Sequence, residues 1–257
     1  MNHYKNIRNI IISSFWIAHL AMKRDYGKTF GGFVWLAIKP LPQVVVICIM
    51  MKNVAGFASK INNYLLFVYS SLMTWNMILA VIVGAIMKFK SNGLLKRSLL
   101  TKQNIILSHI IYHLIIYIIM LIPVIVYNIF CLNFYILLLP IYIIIVCTIL
   151  FCITYSIAII ICYIPDIASM IEIVMSLAFW ATPVLYTLES VSGIMYYIMK
   201  YNPLYIIKQP ISVITYYQTS PTLSLNISLL VLTFLSIFIY YFINTSKLDK
   251  NVVYYID

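Results

Sequence analysis

Residues 181–210 read ATPVLYTLESVSGIMYYIMKYNPLYIIKQP and decide how the rest of the chain must be arranged. The stretch is mostly apolar, like a membrane-spanning helix, but prolines, a glycine and charged residues interrupt it every few positions. These interruptions are Pro183, Glu189, Gly193, Lys200, Pro203, Lys208 and Pro210. A spanning helix needs about 20 consecutive, predominantly apolar residues. The question is therefore whether this stretch crosses a bilayer, enters it part-way or lies on its surface.

The composition of the whole chain indicates a protein with several membrane-spanning segments. Of its 257 residues, 64% are hydrophobic and 9% are charged, whereas soluble domains carry about 25% charged residues. The formal net charge is +11, from 17 Lys and Arg against 6 Asp and Glu. In a membrane protein such an excess is typical of cytoplasmic loops rather than of nucleic-acid binding. No cleavable signal peptide is predicted, and the five cysteines, which lack CxxC spacing, are interpreted as packing residues.

Six segments are long and apolar enough, or nearly so, to be predicted as spans. They cover residues 33–51, 64–87, 105–127, 134–163, 167–187 and 223–243. The first is the weakest, because Lys39 and two prolines stand near its start. The ammonium group of Lys39 is expected to reach the near interface. The predicted fold class is an all-α polytopic membrane protein.

The positive charges predict the orientation of these spans. Twelve of them fall before the first span, between the second and third, or after the last. They are Lys5, Arg8, Lys23, Arg24, Lys28, Lys88, Lys90, Lys96, Arg97, Lys102, Lys247 and Lys250. The loops on the other side hold four, which are Lys52, Lys60, Lys200 and Lys208. Both termini are therefore predicted to be cytoplasmic, which requires an even number of spans.

Residues 188–222 are then predicted not to cross, because a seventh span would place the basic tail, residues 244–257, outside. The segment is too apolar to lie free in water and too broken to span. We interpret it as two short re-entrant or interfacial helices on the outer side, over 191–199 and 204–217. Backbone at that depth must be buried in protein or line a cavity, because lipid cannot pair its polar groups.

Residues 1–31 are predicted to contain an amphipathic helix on the cytoplasmic interface. Its apolar residues are Phe15, Trp16, Ile17 and Leu20, and cationic residues follow them. Such a helix can be a simple membrane-surface anchor or a platform on which a cytoplasmic partner docks, and the sequence leaves both open.

Few residues offer catalytic or ligand-binding chemistry. Of the six carboxylates, Glu172 alone lies clearly inside a predicted span, where it serves either an interfacial structural role or a transport path. His109 and His113 share a helix face, but without an evident third ligand we favour packing or interhelical hydrogen bonding over metal binding. No Walker A motif, GxSxG motif or carboxylate cluster is present. We therefore predict no catalytic residue, no bound cofactor and no metal site.

Three stretches are similar to one permease family. Residues 22–42, MKRDYGKTFGGFVWLAIKPLP, resemble an arginine-containing segment that runs into a pattern of tyrosine, glycine, tryptophan and proline. The matching residues are Arg24, Asp25, Tyr26, Gly27, Gly31 or Gly32, Trp35 and Pro40. The other two stretches are Pro165-Asp166-Ile167 with Thr182-Pro183-Val184 and Tyr186, and Tyr201-Asn202-Pro203-Leu204. The chain thereby resembles the ABC-2 type permeases that export O-antigen, teichoic acid and capsular polysaccharides.

The resemblance implies a single ABC-2 type transmembrane domain over residues 1–257, with 223–243 as its last span, in a bacterial inner membrane. It also implies a homodimer of this chain with two copies of a separate subunit that binds ATP and Mg2+. The residues implied at the ATPase interface are Lys23, Arg24, Asp25, Tyr26, Lys96, Arg97 and Asp166. Those implied at an outer gate are Pro183, Tyr186, Gly193, Asn202 and Pro203. Glu172 and Trp35 are candidates for the transport path.

The substrate implied by the resemblance is a lipid-linked polysaccharide. Export of a drug or small lipid by an ABC-2 permease, a membrane enzyme acting on polyprenyl-linked sugars, and a proton-coupled transporter stay open as alternatives. The chain departs from the family at two places. Pro165 stands where the family has an arginine, and the run after Asp25 is reduced to Gly27, Lys28 and Thr29. Both departures lie on the face expected to meet the ATPase.

Overall fold

The computed structural model describes residues 2–27, 31–32, 34–53, 63–91 and 101–246, and within these ranges the chain is helical without any strand. We number its described α-helices in chain order. They are α1 (Asn2–Tyr26), α2 (Val34–Ile38), α3 (Pro40–Asn53), α4 (Tyr64–Ser91), α5 (Lys102–Phe130), α6 (Leu139–Tyr163), α7 (Ile167–Ala181), α8 (Ile194–Lys200), α9 (Pro203–Ser212) and α10 (Leu223–Thr245). Two 3-10 helices, Phe134–Leu138 and Leu188–Ser190, and a π-helical turn, Val213–Tyr217, lie between them.

Five helical segments in the described ranges are long and apolar enough to cross a bilayer. They are Val34–Met51, Tyr64–Met87, Lys102–Phe130, Phe134–Tyr163 and Leu223–Thr245. These segments coincide with the first, second, third, fourth and sixth predicted spans. The chain therefore has the architecture of a helical membrane protein, as its composition predicts.

The fifth predicted span, residues 167–187, is helical over a shorter length. Its helix, α7, has 15 residues and ends at Ala181, which gives a length of about 22 Å against a hydrocarbon core of about 30 Å. Thr182 is already extended, with φ −113° and ψ 129°, because the proline that follows disfavours the helical conformation there. Pro183 also lacks the N–H that would continue the helix. The Thr-Pro pair thus ends the helix well before position 187.

α4 is the central helix of the bundle. It packs against α3, α5, α6, α7 and α9, and 72% of its apolar window is buried inside the protein. α10 is the opposite case, because it packs mainly on α6 and is 11% buried. Its outward face carries large apolar side chains such as Phe234 and Phe238. An apolar surface of this size suits contact with lipid or with another subunit.

α1 packs alongside the first half of α5 through one face of the helix. Ser14, Ala18 and Met22 lie at i, i+4 and i+8 and are buried, and the Ser14 hydroxyl donates to the Asn104 carbonyl at 3.3 Å. The aromatic side of α1 faces outward, because Trp16 is 60% exposed. One face of the helix thus lies on the protein, and large apolar residues such as Trp16 are turned away from it.

Residues 182–222, which we call the hairpin segment, begin and end at the same end of the bundle. The hydroxyl of Tyr64, at the start of α4, donates to the Leu185 carbonyl at 2.7 Å. The hydroxyl of Tyr142, near the start of α6, donates to Asn226 of α10 at 2.7 Å. The starts of α4 and α6 both lie beside the final residues of α5, where the Asn63 amide donates to the Tyr127 hydroxyl at 3.0 Å. We call the end of the bundle where α4 and α6 begin and α5 ends the hairpin end.

Candidate functional site

The last residues of α7 and the extended chain after them have backbone carbonyls that are paired by side chains. Four carbonyls among residues 180–185 accept such bonds. The pairs are Tyr186 hydroxyl to Trp180 (2.7 Å), Asn202 amide to Ala181 (3.2 Å), Lys208 ammonium to Pro183, and Tyr64 hydroxyl to Leu185 (2.7 Å). We call this group the hairpin junction. It supplies the hydrogen bonds that a helix would otherwise make for buried backbone.

Asn202 connects the two sequence motifs that stand twenty residues apart. Its amide nitrogen donates to the Ala181 carbonyl at 3.2 Å and to the Thr182 hydroxyl at 3.1 Å. Its amide oxygen accepts from the Leu204 N–H at 2.9 Å and so caps the N-terminus of α9. Pro203 occupies the first turn of α9, where a missing N–H costs nothing. One side chain therefore ends α7 and starts α9.

Lys208 is the most deeply buried charged side chain among the described residues, with 1% of its surface exposed. Its ammonium donates to the Pro183 carbonyl and lies 5.7 Å from the centre of the Phe67 ring. Burial lowers the pKa of Lys208 to about 7. The charge count of the sequence treats this residue as an outer-loop cation, and the structure corrects that interpretation because α9 turns it into the core.

The residues predicted for an outer gate divide into two groups. Pro183, Tyr186, Asn202 and Pro203 meet at or beside the hairpin junction. Gly193 lies outside it, at the start of α8, with φ +69° and open space around the position of a Cβ. That backbone conformation favours glycine. Gly193 therefore sets a turn and contributes no contact to the junction.

A pair of buried asparagines fixes the far end of the hairpin segment, and sequence reasoning missed it. Asn128, at the end of α5, donates to the carbonyls of Val124 (2.9 Å) and Thr215 (3.0 Å). Asn133 donates to the Asn128 amide oxygen at 2.6 Å and to the Ile214 carbonyl at 2.9 Å. Both acceptor residues, Ile214 and Thr215, lie in the π-helical turn. The two asparagines thus pair carbonyls where regular helical bonding ends.

A hollow of about 230 Å3 opens beside this turn at the hairpin end. Its lining is mostly amide and phenol side chains, with one leucine, and consists of Asn63, Leu66, Tyr127, Tyr216, Tyr217 and Gln218. Burial, and next the charge of nearby Glu189, raise the pKa of Tyr217 to about 12. The phenol is therefore neutral at physiological pH and serves as a hydrogen-bond donor. Aromatic faces beside amides offer both stacking and hydrogen-bonding partners to a polar ligand.

The residues predicted at an ATPase interface are described in part. The Arg24 guanidinium pairs with the Asp25 carboxylate at 2.8 Å, and the Tyr112 hydroxyl of α5 donates to the same carboxylate at 2.8 Å. Lys23 and Tyr26 lie on the same last turn of α1. Asp166 is exposed at the start of α7 and makes no side-chain cap there. Lys96 and Arg97 lie outside the described residues.

Glu172 and Trp35 do not line any described cavity. Glu172 is exposed on α7, where the Ser176 hydroxyl bonds to its backbone carbonyl at 2.9 Å. Ile173 and Leu177 of the same helix are also exposed. Trp35 is exposed on α2 and packs against Gly31. The structure of one chain therefore does not bring these two residues into a path.

His109 makes the interhelical hydrogen bond that its sequence position favours. Its Nε2 atom lies 3.1 Å from the Ala80 carbonyl of α4, and its ring packs edge-on against His113 with centroids 4.4 Å apart. Gly84 of α4 makes room for it, because a Cβ at that position would stand 2.7 Å from His109 Nε2. Among the described residues, no group of three or more His, Cys, Asp or Glu could hold a metal ion.

The Gly84 contact predicts a coupled pair of mutations. Gly84→Ala is expected to destabilise the protein by about 1–2 kcal/mol, because the methyl group displaces the His109 ring from its hydrogen bond. In a His109→Ala background the same change is expected to be neutral or stabilising, since alanine is the better helix former by about 1 kcal/mol. Thermal melting of the four proteins in detergent measures both effects. Equal destabilisation in both backgrounds would contradict the packing described.

A scan against models of known protein families matched none of them, and a search of curated proteins found no match to the chain. The function proposed below therefore stands on the residues and their geometry, together with the motif resemblance.

Proposed function

We propose that this chain is the membrane-spanning subunit of an ATP-driven exporter of lipid-linked polysaccharide. It works as a homodimer with two copies of a separate ATP-binding subunit. It holds no nucleotide itself and has no enzymatic activity of its own. In this proposal both termini are cytoplasmic, the hairpin end faces outward, and α7 serves as the fifth of six membrane-crossing segments.

One observation carries the proposal. The motif residues at Thr182-Pro183 and Asn202-Pro203 are distant in sequence but meet in one hydrogen-bonded junction. Both motifs belong to the pattern that resembles the polysaccharide permeases. The junction supports a hairpin that returns to the end it started from, which is the geometry expected of a gate over an exit. Its short helix α8 exposes Ile194 (78%) and Tyr197 (61%), so this helix has apolar surface available for lipid or for the second copy.

The opposite end offers a surface for the ATP-binding subunit. α5 has 29 residues and is about 44 Å long, which exceeds a hydrocarbon core of about 30 Å. Its first turns can therefore extend into the cytoplasm together with α1, which packs along them. The Arg24 and Asp25 pair, held by Tyr112, lies on this surface. A helix braced in this way can transmit a displacement from a cytoplasmic partner to α5 and the bundle.

The hollow at the hairpin end favours a glycan over a drug or a small lipid as the cargo. Three phenol rings and two amides line it, and Leu66 is the aliphatic side chain among its lining residues. Sugar rings present hydroxyl groups for amide hydrogen bonds and C–H faces for aromatic stacking. A purely apolar cargo would offer no hydrogen-bond partner to the amide of Gln218 on binding.

Deletion of the gene in its own bacterium tests the function. The expected result is loss of the surface polysaccharide, with the lipid-linked polymer accumulating on the cytoplasmic side. Complementation with the intact chain should restore the surface polymer. Normal surface polysaccharide in the deletion strain would contradict the proposal.

The ATPase interface makes a separate prediction. Asp25→Asn is expected to lower glycan-stimulated ATP hydrolysis several-fold, because it removes the charge that pairs with Arg24 and accepts from Tyr112 on the surface proposed to meet the ATP-binding subunit. Because the pair is on the surface, the melting temperature should change little. The control is Lys200→Gln, which removes an exposed charge that lines no described cavity. Equal rates of hydrolysis in wild type and Asp25→Asn would contradict a role of Asp25 in the interface.

A further inference from the structure

A second cavity, of about 310 Å3, lies between α3, α4 and α5 and is separate from the hairpin end. Its polar lining comes from residues on different elements, which are Tyr26, Lys39, Gln43, Asn76 and His113. Lys39 and Gln43 are exposed, so the cavity is open to the surroundings of the protein. None of its residues belongs to the hairpin junction.

Three polar side chains of this cavity, those of Lys39, Gln43 and Asn76, are donors that have room for a ligand. Among the described residues, the side chains of Lys39, Gln43 and Asn76 form no hydrogen bond or ion pair with one another or with the rest of the chain. No carboxylate lines the cavity. The closest one in sequence, Asp25, is held by Arg24 and Tyr112. An ammonium group and two amides therefore face one space that no carboxylate lines.

This set of groups matches the oxygen atoms of an anion. Lysine binds phosphate as a point charge, and amide N–H groups donate to its oxygens. Asn76 is the polar residue that α4 contributes to the cavity wall. The other lining residues of α4 are apolar, and they include Met73 and Met77. An asparagine amide in a spanning helix is costly without a hydrogen-bond partner, and Asn76 has none within the described residues, so a ligand in the cavity can supply one.

The remaining wall suits a hydrocarbon chain. Met73, Met77 and Met120 line the cavity, and methionine adapts its shape to irregular apolar ligands. Beside the opening, α3 exposes Val46 (59%) and Met50 (57%). The volume of about 310 Å3 accommodates a headgroup, while the chains of a lipid would lie along α3 outside the cavity.

We propose that the cavity between α3, α4 and α5 binds the phosphate headgroup of an anionic lipid. The lipid is either an anionic phospholipid of the bilayer or a polyprenyl phosphate, and the second source rests on the proposed function. Lys39 supplies the charge, Gln43 and Asn76 supply directed N–H donors, and the methionines hold the first carbons of the chain. The site is chemically distinct from the tyrosine-lined hollow, which has no cation.

Native mass spectrometry of the purified chain tests this proposal without any ATPase or glycan. The protein is released from detergent containing equal amounts of phosphatidylglycerol and phosphatidylcholine, and the retained lipid is counted. We expect phosphatidylglycerol to be retained preferentially. Lys39→Gln is expected to lower its retention about five-fold, since one lysine near an anionic lipid contributes about 1 kcal/mol. Asn76→Leu, which keeps the volume of the side chain, is expected to lower it as well.

The control is Lys200→Gln, because Lys200 carries the same charge at the hairpin end and is exposed there. It should retain as much phosphatidylglycerol as wild type. Equal retention of the two lipids, or equal retention by wild type and Lys39→Gln at an unchanged melting temperature, would overturn the proposal.

Adding undecaprenyl phosphate to the same mixture identifies the source. Displacement of phosphatidylglycerol assigns the site to a polyprenyl lipid, and continued retention of phosphatidylglycerol assigns it to the bilayer. Because the assay contains no transport step, a failure of export in cells counts against the proposed function alone. Loss of lipid selectivity in this assay counts against the cavity site alone.

Discussion

Replacing Asn202 with alanine is expected to destabilise the protein by about 3 kcal/mol, from the loss of one helix cap and two further hydrogen bonds at about 1 kcal/mol each. The change leaves the Ala181 carbonyl and the Thr182 hydroxyl without their donor. For a chain of this size the apparent melting temperature in detergent should fall by about 6–10 °C. Export of polysaccharide should be lost, because the hairpin is no longer joined to α7.

Asn202→Ser separates the role of the side chain as the cap of α9 from its hydrogen bond to the Ala181 carbonyl. Serine caps a helix as well as asparagine does, but its hydroxyl is too short to reach the Ala181 carbonyl. We therefore expect an intermediate melting temperature with export still defective. A serine variant that exports normally would show that the cap alone matters and that the junction does not support a gate.

Lys208→Ala is expected to have an effect of similar size, about 3 kcal/mol, because it leaves a cavity in the core and removes the donor to the Pro183 carbonyl. Lys208→Met fills the same volume without a buried amine. Lys208→Met should destabilise the protein less than Lys208→Ala, because methionine fills the space and carries no charge that must be desolvated. Thermal melting at neutral pH compares the three proteins. A methionine variant as unstable as the alanine variant would contradict the packing of Lys208.

The buried amine also predicts a pH dependence. The pKa of Lys208 is about 7 in the folded protein and about 10.4 in an unfolded chain. Between these values the unfolded chain binds more protons, so stability rises with pH in this window and is lowest below about pH 7. The Pro183 carbonyl and the Phe67 ring favour the charged form and reduce the effect.

From pH 7 to pH 9 the wild type should therefore gain about 2 kcal/mol relative to Lys208→Met. The difference between the two proteins isolates this residue from other groups that titrate in the same range. Parallel melting curves for wild type and Lys208→Met over this range would show that Lys208 keeps its proton in the fold.

The long helices follow from the sequence because each is an apolar run of sufficient length, and no tertiary contact is needed to recognise it. Counting apolar residues predicts that the fifth span ends at residue 187, whereas the helix α7 ends at Ala181. The signal that corrects it is local, since Thr182 before Pro183 cannot continue a helix easily. The hairpin segment, predicted as two short helices over 191–199 and 204–217, has α8 and α9 in those places, and the last residues form a π-helical turn.

The side-chain pairs of the site were not predictable from spacing. Asn202 meets Ala181 only after the intervening chain has folded back, and no local pattern fixes that distance. The burial of Lys208 had a readable signal, because Leu204, Lys208 and Ile211 stand at i, i+4 and i+7 on one face of α9. Counting the charges of each loop misses the burial of Lys208, because the count assumes that a lysine in a loop is solvent-exposed.

The central claim is that the chain moves a lipid-linked polysaccharide with energy supplied by a separate ATPase. The most direct measurement is purification of the tagged chain from its own membranes, followed by ATP hydrolysis with and without the lipid-linked glycan. The account predicts that an ATP-binding subunit copurifies in equal amount and that the glycan stimulates its hydrolysis. Purification of the chain without an ATP-binding subunit, in membranes that still export polysaccharide, would contradict it.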